Sequence, residues 1–388
     1  MIQPSELVLK KIAILKGYFF FNDFMDADSP DSKKFLGNLK PFLKDLRKRG
    51  FNNKELKLLQ HLVALSTYPK EKRYAMLERW LTAEMTSEFI SIDLIKNPLS
   101  KDLRRFYKDI YESTFAEDER ESLKNIRGWI LGENWFPSRI VHWWDSRKYR
   151  NFFSHVVHPR YYVLLVKIKG IVVGGAFVNT INTEYISFMV IDFFLITLQH
   201  LSEIEELKEF STGEYKVKLA TALFERCKYY AVKDAIRYGH KQPFFILGQA
   251  SDPVKMYHKH ILNLEHDTEN PAVRLRLYSI MGFKFLDFPY VSPALGEDQK
   301  AVDYEYEIMY SLNPEWRNEV DPKIYKYALV TFLGTWADVT KEPVKGMIDY
   351  LDNLITQGKK IRLMNFAELR IPREIISICK QIRWKVEA

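Results

Sequence analysis

"LYSIMGFKFLDFPYVSPAL" (residues 277–295) changes its periodicity halfway. Leu275, Tyr278 and Met281 continue an apolar helical stripe, and Gly282 follows as a helix stop, because glycine accepts the left-handed conformation that ends helices. From Phe283 the residues alternate, which predicts a strand over 283–288. Pro289 and Pro293 then flank a loop carrying Tyr290. A helix therefore runs directly into a strand, and Tyr278 stands one turn before the junction. Either it is a core tyrosine on the apolar stripe or it faces a ligand at the strand ends.

Working outward, the neighbouring segments read as a mixed sheet. Residues 103–115 form an amphipathic helix (Leu103, Phe106, Tyr107, Ile110, Tyr111) that ends in the acidic stretch "AEDERES" (116–122). Strands are predicted at 161–168 and 171–179, joined at Gly170 as a hairpin, and at 186–198. A long helix at 218–239 precedes a buried strand, "PFFILG" (243–248). Then come the helix and strand of the opening stretch and a last strand, "YEYEIMY" (304–310). Hairpin strands followed by βαβ units predict an α/β fold with a mixed sheet and helices on both faces. Residues 1–98 read as a helical N-terminal domain, with Asn52 and Glu55 as a capping pair. Residues 313–388 read as a helical C-terminal extension.

Bulk properties narrow the function classes. The chain has 388 residues, two cysteines and a net charge of +8 from 58 basic and 50 acidic side chains. Two distant cysteines, Cys227 and Cys379, argue for a reducing compartment, so a cytoplasmic location is expected. The scattered positive surplus favours an anionic ligand, and no basic arm for nucleic acid is present. Glu6, Lys10 and Lys11 break the first apolar run, so no signal peptide is expected. No stretch is long and apolar enough to predict a membrane span. His155 and His158, like His258 and His260, lack the further ligands a metal site needs, so no metal is expected. The aromatic and basic run "HWWDSRKYRNFF" (142–153) reads as a loop packed on the sheet rather than a nucleic-acid platform. The glycines of "IVVGGAFVN" lie inside a strand, not in a phosphate loop.

Four stretches, taken together, resemble the GCN5-related N-acetyltransferases (the GNAT superfamily), over residues 99–312. They are "FYKDIYESTF" (106–115), "IVVGGAFV" (171–178), "KLATALFERC" (218–227) and "RLRLYSIMGFKFL" (274–286). The continuation "DFPYVSPALG" (287–296) is similar to a tail found in a subset of bacterial members. The resemblance implies an acyl-CoA-dependent N-acyltransferase, with acetyl-CoA as co-substrate and a small-molecule or protein amine as acceptor. It implies that strands 186–198 and 243–248 splay apart and that backbone at Phe194, Leu195, Ile196 and Thr197 receives the pantetheine. It places the pyrophosphate loop on "YKVKLA" and the residue after it. Lys216, Val217, Lys218, Leu219, Ala220 and Thr221 are thus the cofactor candidates, although only Ala220 matches the family's Gln/Arg-x-x-Gly-x-Gly/Ala pattern. Tyr278 would protonate the leaving thiolate.

Asp192 interrupts an otherwise apolar strand. Alternation puts it on one face with Phe188, Val190 and Phe194, a setting that raises a carboxyl pKa toward the range of a neutral-pH base. It is read either as that base or as a structural aspartate bonded to backbone. Glu117, Asp118, Glu119 and Glu121 are expected either to attract a cationic acceptor or to form a solvated helix end, and Gln249 to hydrogen-bond the acceptor. The alternative for the whole chain is a GNAT-like scaffold whose cofactor loop has decayed and whose N-terminal helices bind a protein partner.

Overall fold

The computed structural model describes residues 6–85, 90–114, 120–131, 139–143, 153–198, 213–259, 271–294, 300–313, 316–334, 337 and 339–376. Five helices open the chain: α1 (Glu6–Lys16), α2 (Phe19–Asp26), α3 (Ser32–Lys48), α4 (Asn53–Leu59) and α5 (Lys70–Met85). The expected capping pair is present. The Asn52 side chain accepts from the Glu55 N–H, and the Glu55 carboxylate accepts from the Asn52 N–H at 2.9 Å. That carboxylate is buried and is neutralised by Lys11 Nζ at 2.6 Å, which ties α4 to α1.

Strand β1 (Ile90–Leu94) follows, then α6 (Lys101–Arg105), which passes through a π-helical segment (Phe106–Tyr111) into α7 (Glu112–Thr114), and then α8 (Leu123–Leu131). The sheet strands are β2 (Arg139–Trp143), β3 (Phe153–Ile168), β4 (Ile171–Asn182), β5 (Ser187–Ile196), β6 (Phe245–Ser251), β7 (Lys284–Leu286) and β8 (Glu305–Ser311). Helices α9 (Gly213–Arg237), α10 (Pro253–His258) and α11 (Pro271–Ile280) lie between them. The C-terminal part holds β9 (Glu319–Val320), α12 (Pro322–Leu333), α13 (Val344–Thr356) and β10 (Ile361–Met364).

One mixed sheet runs in the order β1-β3-β4-β5-β6-β8-β7-β10-β9, with β2 paired to β3. The predicted α/β class with a mixed sheet is therefore what forms. Two boundaries differ from expectation. Residues 90–94 lie in the region read as helical, yet they pair with β3 as an edge strand. The C-terminal extension is not wholly helical, because β9 and β10 extend the far edge. Strands of two and four residues are too short to show a period of two.

Three apolar clusters cover the sheet. On one face, α9 and α11 share a continuous core with helices α1–α5. On the other face two clusters lie side by side: one beneath α6–α8 (Phe106, Tyr111, Phe177, Phe193) and one beneath α12 and α13 (Phe188, Val190, Leu329, Leu351). The site lies on this face, where the two clusters meet. Close packing of the three central strands depends on the glycine pair in β4: a Cβ on Gly174 would lie 2.3 Å from the Leu195 carbonyl oxygen.

Candidate functional site

The junction at 282 is built as its sequence predicts. Gly282 has φ +92, the Gly282 N–H donates to the Ser279 carbonyl, and the Phe283 N–H donates to the Tyr278 carbonyl, both at 3.0 Å. This double closure is the Schellman arrangement, and the Tyr278 and Phe283 rings complete it with an edge-on contact at 5.5 Å. The stop thus fixes where Tyr278 leaves the helix. Its side chain is buried, and burial raises its pKa, with Glu305 adding to and Arg274 opposing the shift, so the phenol stays protonated at neutral pH. Its ring stands 6.4 Å from that of Phe194 on β5.

Strands β5 and β6 pair in parallel only at Met189–Ile246, Val190–Leu247 and Ile191–Gly248. Beyond that point β5 continues to Ile196 and β6 to Ser251 without pairing to each other. The other edges of both strands stay paired. β5 remains on β4 as far as Ile196, and β6 remains on β8 along its whole length. A wedge therefore opens from Asp192 and Gln249 onward.

The backbone groups facing the wedge follow from the β4 ladder. The Thr197 N–H donates to the Val173 carbonyl at 2.8 Å. The two-residue period gives Leu195 the same orientation, which turns the backbone groups of Phe194 and Ile196 toward the opening. Of the four backbone candidates, Phe194 and Ile196 thus face the wedge, and Leu195 and Thr197 face β4.

Asp192 marks the start of the wedge because β5 bulges there. Phe193 pairs with Phe177 and Ile191 with Val178, so Asp192 has no partner on β4. The bulge corrects the expected alternation. Phe194 packs on the α9 face beside Tyr278, while Asp192 lies on the opposite face, where its charge acts on Tyr111 and Tyr161. Among the β5 side chains Asp192 alone is exposed. Even so, its pKa is raised to about 8, by burial first and then by the Glu121 charge. The side chain reaches the surface, while the packed groups beside it and the Glu121 charge disfavour its ionised form. No hydrogen bond from Asp192 to backbone supports the structural alternative among the described residues.

Glu121 is held near Asp192 by the π-helical turn. That turn stacks Tyr107 on Tyr111 at 5.3 Å; the Tyr107 hydroxyl donates to the Glu121 carbonyl at 2.9 Å and the Tyr111 oxygen accepts its N–H at 3.0 Å. Glu117, Asp118 and Glu119 lie outside the described residues.

Gln249 lies on the same face of the sheet as Asp192, by alternation with Phe245 and Leu247, and donates to the Tyr290 hydroxyl. Directly across the ladder from Gln249 stands Glu307, which is 5% exposed and whose Oε2 has no hydrogen-bond partner. Burial pushes its pKa well above the carboxylate range, and burial also pushes Tyr290 up. Tyr161 Oη and Asn179 Oδ1, on the same face, are likewise buried without partners. Sequence reading missed Glu307, Tyr161 and Asn179. In "YEYEIMY" the glutamates alternate with apolar residues, which mimics a solvent face. The only available signal was that a sheet covered on both faces has no solvent face to offer.

The expected pyrophosphate loop is not a loop. Residues 215–220 lie inside α9, which begins at Gly213, and the Thr221 hydroxyl donates to the Val217 carbonyl at 2.8 Å, as on a helix interior. Only the first turn of a helix has free N–H groups, so the amides of Val217, Lys218, Leu219, Ala220 and Thr221, which lie beyond it, are not anion donors, and Lys216 stands at its end. Lys216 and Lys218 remain one turn from the helix start, with Lys218 Nζ 5.2 Å from the Tyr215 ring centroid.

Among the described residues no cluster of three or more His, Cys, Asp or Glu side chains could hold a metal, and no helix is long and apolar enough to cross a membrane. No protein-family model matches the chain, and no curated protein or solved structure matches it either.

Proposed function

We propose that this chain is an acyl-CoA-dependent N-acyltransferase with a GNAT-like core, acetyl-CoA being the expected donor. The observation that carries this reading is the divergence of β5 from β6 after Ile191 and Gly248, with Tyr278 beside Phe194 on its α9 side. A pantetheine arm is a chain of amides. The backbone groups of Phe194 and Ile196 offer it the pairing that a neighbouring strand would otherwise supply. Asp192 and Tyr278 stand on opposite faces of the sheet, and the wedge is the passage that joins them.

In a ternary complex, Asp192 takes a proton from the acceptor ammonium, directly or through a water. The freed amine attacks the thioester carbonyl, the carbon–sulfur bond breaks, and Tyr278 donates its proton to the departing thiolate. An amide and free CoA result. A base with a pKa near 8 suits this work, since it is strong enough to accept the proton and still partly ionised at neutral pH. Lys216 and Lys218 contribute positive charge near the helix start for the pyrophosphate.

The second reading, a scaffold without activity, is favoured by one observation: α9 offers Lys218 where the family has a glycine that admits close backbone approach. Isothermal titration with acetyl-CoA separates the two. Saturable binding at micromolar concentrations supports the enzyme, and no heat at high micromolar concentration supports the scaffold.

A further inference from the structure

The sheet face between the two apolar clusters carries more acid than a single transferred proton requires. At one end Glu121 lies close enough for its charge to act on Asp192. At the other end Gln249, Tyr290 and Glu307 form a second polar group on the same face. Among the described residues no cationic side chain draws either Asp192 or Glu307 down. Glu307 is the more unusual of the two. A buried carboxyl is ordinarily paired or fully hydrogen-bonded, and leaving an oxygen without a partner costs stability. Its flanking residues do not repair this: Gln249 from β6 spends its amide on Tyr290, and Leu286 from β7 is apolar. The titratable groups beside it are Tyr290 and Glu305, neither of them a cation.

Asp192 and Glu307 stand two strands apart, since β6 lies between β5 and β8. Strands are spaced by roughly 4.8 Å, so the two carboxyls are separated by about 10 Å or somewhat more where the wedge opens. That span fits an extended aliphatic chain with an amino group at each end.

Resting on the transferase reading, we infer that the acceptor is a linear di- or polyamine, one of whose amino groups meets Asp192 while a second, which is not acylated, pairs with Glu307. An amino-acid acceptor would bring a carboxylate beside Asp192, Glu121 and Glu307, and among the described residues no cation acts on either raised carboxyl, Asp192 or Glu307. A monoamine would leave Glu307 unpartnered. Entry of the second ammonium also displaces the proton that burial keeps on Glu307, so binding releases a proton to the buffer.

The test is titration of the cofactor-free protein near neutral pH with spermidine and, separately, with n-butylamine, in two buffers of different ionisation enthalpy. Spermidine is expected to bind at least about tenfold more tightly than n-butylamine, with a buffer-dependent heat that reports proton release. Glu307→Gln, which keeps the side-chain shape, is expected to abolish that preference and the proton release while leaving the melting temperature unchanged or raised. Tyr290→Phe, which keeps the carboxyl in place, is expected to weaken spermidine binding but not n-butylamine binding. Equal affinities for the two amines, no spermidine binding, or an unchanged preference in Glu307→Gln would overturn the inference. Because no acyl-CoA is present, a failed acetyl-CoA titration alongside intact spermidine preference would sink the transferase reading alone.

Discussion

Two buried carboxyl groups packed in this fold, one on a helix and one on a strand, are treated in opposite ways. Asp234 of α9 is fully buried, and both its oxygens are used: Oδ1 accepts from Arg160 at 3.3 Å, and Oδ2 accepts from Tyr162 at 2.7 Å and from Thr180 at 2.6 Å. Glu307 of β8 is almost as buried and leaves Oε2 with nothing, near a bulged Asp192 that has no strand partner. The first network joins α9 to β3 and β4, and it holds the fold together. The second spends stability on groups that gain partners only when a ligand arrives. Both kinds of site are polar and interior, and only their hydrogen-bond accounting separates them.

The sharpest way to break this comparison is Asp192→Asn. It should lower acyl transfer by about two to four orders of magnitude, the range for losing a positioned base, with acetyl-CoA affinity and circular dichroism unchanged. A variant that transfers at the parent rate would return Asp192 to a structural role. Asp234→Ala should do the reverse. Removing one member of a buried, satisfied network leaves Arg160, Tyr162 and Thr180 without their acceptor and should cost about 3–5 kcal/mol in denaturant unfolding. A loss below about 1 kcal/mol would mean that the network is not structural.

Tyr278→Phe should slow transfer about tenfold while cofactor affinity changes little, because the hydroxyl is needed only for the departing thiolate. Equal loss of both would place the ring in the core alone.

A last effect is a pH dependence of stability. The Asp192 pKa is raised in the folded chain, from an ordinary value near 4 to about 8, so the folded state holds the extra proton between those values. Its contribution is fully present below about pH 4 and is lost as pH rises through about 8. Unfolding measured from pH 5 to pH 9 should therefore show declining stability in the parent and a flatter profile in Asp192→Asn. A parent profile no steeper than that of the variant would contradict the raised value.

Much of the framework could be read from the sequence, for reasons that particular residues make plain. The Tyr-x-x-x-Gly-Phe junction is a local motif: one glycine closes the helix, and the Tyr278 and Phe283 rings meet across it, so six residues suffice to predict it. The long strands β3, β4 and β5 are apolar enough to stand out. The bulge at Asp192 was not legible, because Phe188, Val190, Asp192 and Phe194 form an unbroken alternation on paper. The extra residue becomes visible only when Phe177 and Val178 show which partners they chose. Glu307 was hidden for a related reason, since alternation describes two faces without saying that both are covered. The start of α9 was misplaced because Tyr215 to Ala220 carry no marker that separates a phosphate loop from a first helical turn. Edge strands β1, β9 and β10 owe their pairing to distant partners rather than to a pattern of their own.

The most direct test of the wedge is a crystal structure of the chain with CoA bound. The pantetheine is predicted to lie between Asp192–Ile196 of β5 and Gln249–Ser251 of β6, hydrogen-bonded to backbone of Phe194 and Ile196, with its sulfur within reach of the Tyr278 hydroxyl. CoA found elsewhere on the molecule, or a sulfur remote from Tyr278, would contradict the account.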